Sequence, residues 1–216
     1  MGKADLHVHT TWGDGTASVR DILGRADEVG LDVVAITDHD DIRAALEAQQ
    51  LAGVCRADVI AGAEVTTLQG HLLALFLEQP IKMLRPLEWT LQAIHDQGGV
   101  AIAPHPLSWL TRSLPEGAIR RVHDNPHPDV YFDGIEVINP SLAGRVTAAK
   151  VVALNDGYLN LPETGSSDAH HLQGVGAAYA EFPGRTAAEF RVALKAGSTR
   201  AGGNFVWHRE LTGVMA

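Results

Sequence analysis

The chain has 216 residues, enough for one domain with a substantial core and tight for two. It is 45% hydrophobic and 20% charged with a formal net charge of -9, which suits a soluble globular protein and argues against non-specific duplex nucleic-acid binding, a mode that needs basic surface. No apolar run is long enough to cross a bilayer, the first residues lack the apolar stretch of a signal peptide, and Cys55, the only cysteine, excludes an intrachain disulfide; a cytoplasmic location is expected.

Lys3 to His9 alternates like a short strand ending in histidines, and the Gly-, Thr- and Asp-rich stretch Thr10 to Ala17 reads as a loop. Ser18, three residues before Asp21, resembles a capping box; it opens a helix over Val19 to Val29 that buries Ile22, Leu23 and Ala26 and stops at Gly30. Leu31 to Thr37 is a continuous β-branched run, the pattern of a parallel strand buried on both faces. A helix is expected over Asp41 to Ala52 and a strand over Asp58 to Ala63. Another strand follows over His71 to Leu77, able to pair with it as a hairpin through Leu68-Gln69-Gly70. Pro86 opens a helix that runs to Gln97 and stops at Gly98-Gly99, and the strand Val100 to Ala103 leads into Pro104-His105-Pro106. Leu107 to Val130, with Pro115, Pro126 and Pro128, reads as irregular. Phe132 to Ile138 is a strand, Leu142 to Asn155 a helix, Leu161 to Ser167 a strand leading to Asp168, and Thr186 to Ala196 the last helix. Strand and helix alternate, so an α/β fold with a parallel sheet, open or closed into a barrel, is expected in one domain without a linker.

The residues with metal chemistry sit at the expected strand ends. Asp5, His7 and His9 belong to the first strand, Asp38 and His39 follow the second, and Glu64 the third; His105 and the pair Asp168 and His170 follow later ones. In a barrel these ends share one face, so residues distant in sequence converge there. His7 and His9 are two apart and present their imidazoles to one side. Glu64, with His71 downstream, offers a carboxylate that can bridge two cations. Pro104 and Pro106 stiffen the backbone around His105. Taken singly, each has a bland reading as a surface histidine, a helix cap or a solvated turn carboxylate.

Together, DLHVHT, GDG, TDHD, GAE, a His-Pro after a strand and GSSDAHH, in that order over about residues 3 to 200, resemble the PHP (polymerase and histidinol phosphatase) superfamily. The resemblance implies a distorted (β/α)7 TIM-like barrel with its metal site at the C-terminal ends of the strands, and a metal-dependent phosphoesterase. It implies two or three divalent ions, Mn, Zn or Fe, an assignment that suits a ligand set without thiolate. By this likeness His7, His9, Glu64 and Asp168 hold a first metal. Glu64 bridges to a second completed by His71 and His105, while Asp14, His39 and His170 hold a third. Asp38 is implied as a partner that orients a ligand imidazole. Cations about 3.5–4 Å apart can share a hydroxide that attacks phosphorus, and the third metal, or a protonated His39 or His170, would stabilise the leaving oxygen.

Two departures bear on substrate. Larger nucleotide phosphoesterases of the superfamily carry an inserted domain after the His-Pro, where only Leu107 to Val130 stands here, so residues 1–216 are read as a single unit. The familiar arginine after His-Pro is also missing; Arg112, Arg120, Arg121 or Arg145 could replace it as phosphate clamp, with Arg112 and Arg145 favoured. Trp12, beside Asp14, is the tryptophan placed to touch substrate; Trp89, Trp109 and Trp207 are read as core or pocket residues. His171 is expected to point away, and His95, His123, His127 and His208 to be structural or solvated. The expected substrate is a small phosphomonoester or short phosphodiester, such as a nucleotide or short oligonucleotide end. An amidohydrolase-like site would place a lysine between the metals, and no lysine stands at a strand end; a binding module without turnover would have lost ligands; a structural zinc site would be closed and rich in cysteine.

Overall fold

The computed structural model describes residues 1–203. Among them are nine strands: β1 (Gly2–Asp5), β2 (Val33–Ile36), β3 (Asp58–Thr66), β4 (His71–Leu75), β5 (Val100–Ala103), β6 (Gly134–Ile138), β7 (Glu163–Gly165), β8 (Ala178–Phe182) and β9 (Arg200–Gly203). The six α-helices are α1 (Val19–Glu28), α2 (Arg43–Gln50), α3 (Leu87–Asp96), α4 (Glu116–His123), α5 (Leu142–Leu154) and α6 (Ala187–Lys195). The strands form one sheet in the order β7-β6-β5-β4-β3-β2-β1-β8-β9. β1, β2 and β3 are parallel, as are β5, β6 and β7; β4 is antiparallel to both neighbours, the hairpin foreseen between β3 and His71.

The sheet curls until β7 packs on β8 and β9, giving a nearly closed, distorted (β/α)7-type barrel. Closure demands a glycine. A Cβ on Gly165 of β7 would lie 2.8 Å from the Tyr179 carbonyl oxygen and 3.1 Å from that of Gly202. Alternate residues of the strands, Val33 and Ala35, Leu73 and Leu75, Val100 and Ile102, meet Phe182 and the α6 residues Phe190 and Leu194 in one core cluster. The other faces bury Val34 and Ile36 under α1 and α2, and Ala101 and Ala103 under α3 and α4. Hence β2 and β5 are apolar at every position.

Three expectations change. Leu107 to Val130 contains α4, which starts after Pro115 and buries Ala118, Ile119 and Val122. β8 and β9 were not expected; β8 alternates buried and half-buried residues as a strand with one covered face does. β3 extends to Thr66, because its hairpin with β4 pairs Glu64 with Leu73 and Thr66 with His71, so Glu64 lies inside a strand rather than after one. The half-formed capping box at Ser18 also differs in detail. Ser18 accepts from the Asp21 N–H, but the Asp21 carboxylate takes the Ser18 hydroxyl instead of the backbone N–H; the complete box is Thr186 with Glu189, at α6. No described helix is long and apolar enough to cross a membrane.

Candidate metal centre

Backbone pairing brings the motifs together. Past β1 the chain stays extended: Val8 bridges to Ala169, the His9 N–H donates to the Ala169 carbonyl (3.0 Å), and the Ala169 N–H to the His7 carbonyl (3.3 Å). DLHVHT and SSDAHH thus lie side by side. His39 bridges to Glu64 in the same way. Because β4 is antiparallel, its first residue, His71, stands at the same end as the residues that follow the parallel strands. Several of these positions hold an unfavourable backbone: φ is +56° at Asp40, +27° at His105, +67° at Leu107 and +53° at Asp168. Such strain costs about 1–3 kcal/mol per residue and collects at functional sites.

Glu64 is the hub. Its side chain is 2% exposed, and five imidazole nitrogens surround it: His71 Nδ1 (2.8 Å) and His105 Nε2 (3.0 Å) at Oε1, and His7 Nε2 (3.2 Å), His39 Nδ1 (3.3 Å) and His9 Nε2 (3.4 Å) at Oε2. Asp168 Oδ1 lies 3.5 Å from both His7 Nε2 and His9 Nε2. At the outer edge Asp14, half exposed, approaches His170 Nε2 (3.2 Å), His9 Nδ1 (3.4 Å) and His39 Nε2 (3.6 Å). All nine ligand candidates therefore converge. Their grouping is more shared than expected. Donor atoms cluster as His7, His9 and Glu64; His7, His105 and Asp168; His39, Glu64 and His71; and His9, Asp14, His39 and His170.

These residues fit divalent cations. Both ring nitrogens of His7 and of His9, and Nδ1 of His39, are buried without a hydrogen-bond partner. One carboxylate cannot accept from five rings, and a lone pair aimed at a carboxylate is repulsive; cations between them turn both conditions into attraction. His170 makes the same point. Its Nδ1 donates to the Asp168 carbonyl (3.0 Å), so its Nε2 faces Asp14 either protonated or toward a shared cation. Without cations the cluster holds protons. Burial opposes charge on His7, but Asp168 and Glu64 outweigh it and hold the ring well above the usual histidine range. Burial likewise opposes charge on His9, which hydrogen bonds with Asp14, Asp168 and Glu64 push up to about 10. Burial would raise Glu64, yet the imidazoles, His7 first, hold it well below the carboxylate range, and His7 and His9 do the same to Asp168. His39 is pulled below its ordinary value, chiefly by burial.

Two carboxylates have other roles than ligation. Asp38 accepts from the Thr10 N–H and hydroxyl, 2.7 Å each, so it fixes the turn that carries Asp14. Asp5 accepts from the Ser167 (2.9 Å) and Gly176 (2.8 Å) N–H groups, tying β1 to the Asp168 segment, and burial pushes its carboxyl up to about 6. Glu136 of β6, overlooked in the sequence, lies 3.5 Å from His7 Nδ1 and accepts the His105 N–H (2.6 Å). Its signal was a charged residue in the middle of the apolar strand GIEVI.

Of the substrate candidates, Arg112 is exposed beside the centre: its carbonyl accepts the His71 N–H (2.6 Å) and its Nη2 donates to the Thr67 carbonyl (3.5 Å). Arg145, also exposed, sits in the first turn of α5, after β6, and donates to the Pro140 carbonyl (2.7 Å). Arg120 and Arg121 pair with Glu116 and Glu88 on the helical surface. Trp12 is half exposed, donates to Glu47 (2.8 Å) and lies under the Arg43 guanidinium. Trp109 is 80% and Trp89 42% exposed, so neither is a core residue. His171 turns away to Thr16, and His95 is bonded to Asp133 and the Asp129 carbonyl. Trp207 and His208 lie outside the described residues.

Comparison with known proteins bears on the family and the fold. A family model described as PHP domain matches residues 5–174, and a second, described as PHP-associated, matches residues 158–199. An uncharacterized protein of Methanocaldococcus jannaschii is 36% identical over 173 residues, 74% of this chain and 94% of the relative. A 5'-3' exoribonuclease of Haemophilus influenzae is 31% identical over 104 residues, 46% of this chain but only 38% of that protein. Among solved structures, a two-domain protein of Bacteroides vulgatus described as containing a predicted PHP-like metal-dependent phosphoesterase superposes with a TM-score of 0.75 at 20% identity. The match covers 93% of this chain and 64% of that one, less than two thirds of its length. The chain belongs to the PHP domain family.

Proposed function

We propose that the protein hydrolyses small phosphate esters at a centre of two or three divalent ions, Mn, Zn or Fe. The observation that carries this reading is the set of five imidazole nitrogens within 3.4 Å of the buried Glu64 carboxylate. His7, His9, His71, His105, Glu64 and Asp168 would hold the inner ions, and Asp14, His39 and His170, with His9, the outer one. Bound dications supply Lewis acidity there, lowering the pKa of water and offsetting charge on phosphoryl oxygens. Two or three dications carry more charge than the three ligand carboxylates, so the loaded centre attracts a phosphoryl dianion despite the acidic chain.

The chain's own residues orient the reaction. Asp38 holds the Thr10 turn and so places Asp14. His39 and His170, beside Asp14 at the partly exposed edge, would face the leaving oxygen and, when protonated and not claimed by an outer cation, pass it a proton. Arg112 and Arg145 neutralise the phosphate from the rim, and Trp12 offers a flat apolar face to the organic part. The partial likeness to an exoribonuclease supports nucleotides or short oligonucleotide ends as substrates. Residues 1–216 would form one unit, with the Trp109 loop and α4 standing where larger relatives carry an insertion.

Manganese-loaded protein should turn over p-nitrophenyl phosphate or its bis ester, and a chelator should reduce the rate to background. Absence of turnover on every phosphate ester tried, with metal bound, would favour a binding module instead.

A further inference from the structure

Glu136 stands in the middle of β6 with its side chain fully buried, away from the positions expected to ligate. A carboxylate in such a place is costly unless its oxygens are used, and here both are. Oε2 accepts the His105 N–H (2.6 Å) and the Asn139 amide (2.7 Å). Oε1 accepts the Ser166 hydroxyl and faces His7 Nδ1 at 3.5 Å. The two histidines it touches face opposite oxygens of Glu64 through their Nε2 atoms: His7 at Oε2 and His105 at Oε1. Glu136 thus lies behind the His7 ring and at the backbone of His105, whose ring Nδ1 is paired with the Ser113 hydroxyl (2.8 Å), and Glu64 lies in front of both rings.

Resting on the metal-centre reading above, we infer that Glu136 is a positioning residue that orients the His7 ring and fixes the backbone from which His105 reaches the ions. A carboxylate behind Nδ1 favours the His7 tautomer with its proton there, which leaves the Nε2 lone pair directed at the centre. On the other side the same carboxylate grips the His105 N–H and holds a backbone at φ +27° that a non-glycine residue rarely adopts. One buried side chain therefore preorganises ligands on both sides of Glu64. Ser166 ties it to the segment that carries Asp168, and Asn139 to the turn before α5.

The test is Glu136→Gln, which keeps size and loses charge, read by zinc affinity in competition with a chromophoric chelator. The expected loss is about 10- to 100-fold, the range for partners that orient metal ligands. Histidine 15N shifts of the zinc-loaded wild type should show His7 protonated at Nδ1 and bound through Nε2. Equal zinc affinity in wild type and Glu136→Gln overturns the inference alone. If the variant does not fold, the wild-type spectrum decides: His7 protonated at Nε2 overturns the inference, and protonation at Nδ1 supports it. A wild type that binds no zinc overturns the metal reading and this inference with it. Phosphate-ester turnover enters none of these outcomes.

Discussion

A carboxylate ringed by five imidazoles is an unusual thing to bury, and the residues around Glu64 show how the chain tolerates it. The arrangement is costly without a cation: ring nitrogens of His7 and His9 are buried without a hydrogen-bond partner, and His105 and Asp168 hold left-handed backbone. The neighbouring carboxylates bear the positional work. Asp38 is buried, and its removal would leave the Thr10 N–H and hydroxyl without acceptors. Asp38→Ala should therefore lower stability by about 2–4 kcal/mol in denaturant unfolding, from two stranded buried donors. A loss under about 0.5 kcal/mol, within the range of an inert surface change, would mean that the Thr10 turn is held by something else.

Among the elements, α3 is joined to the start of β6 by one histidine. His95 lies against Tyr131 (ring centroids 4.1 Å apart), with its Nε2 3.0 Å from Asp133 and its Nδ1 2.9 Å from the Asp129 carbonyl. Burial opposes charge on this ring, but Asp133 and the Asp129 carbonyl outweigh it and raise its pKa in the folded chain. A raised folded pKa stabilises fully below the unfolded value near 6.5 and ceases to do so as pH climbs through the folded value. His95→Gln should accordingly destabilise more at pH 5.5 than at pH 9, measured by urea unfolding at both. An equal loss at the two pH values would show that the ring contributes packing alone. The elements themselves were unequally legible. β2 and β5 stood out because a parallel strand buried on both faces is apolar throughout, and α1 because its buried face repeats at helical spacing. α4 was hidden among three prolines, although Pro115 is a helix opener. β9, Arg-Ala-Gly-Gly, has no strand composition, since Gly202 answers to the crowding of Tyr179 and Gly203 to that of Ala177 and Ala178 rather than to β-propensity.

For the whole molecule, barrel closure is what turns scattered motifs into one site. DLHVHT and SSDAHH stand about 160 residues apart and meet through backbone pairing. Most of the nine ligand candidates were legible because their motifs stand near the ends of parallel strands, but Glu64 lies inside β3, His71 opens β4, and Asp14 was reached only through the family likeness. Glu136 was passed over, although a charge inside the apolar strand GIEVI marks it, because its strand carries no ligand candidate. Gly165 marks the seam of the barrel. Gly165→Ala would push a methyl group into the Tyr179 and Gly202 carbonyls, so a loss of about 1–3 kcal/mol is expected in thermal or denaturant unfolding. A neutral substitution would indicate that β7 does not press on β8 and β9 in solution.

The central claim is that imidazoles and carboxylates from both halves of the chain hold cations around Glu64. The most direct measurement is anomalous scattering from a crystal equilibrated with manganese. The account predicts at least two peaks beside the Glu64 carboxylate, one within reach of His7, His9 and Asp168 and one within reach of His71 or His105. A map with no peak there, or with manganese bound only elsewhere, would contradict it.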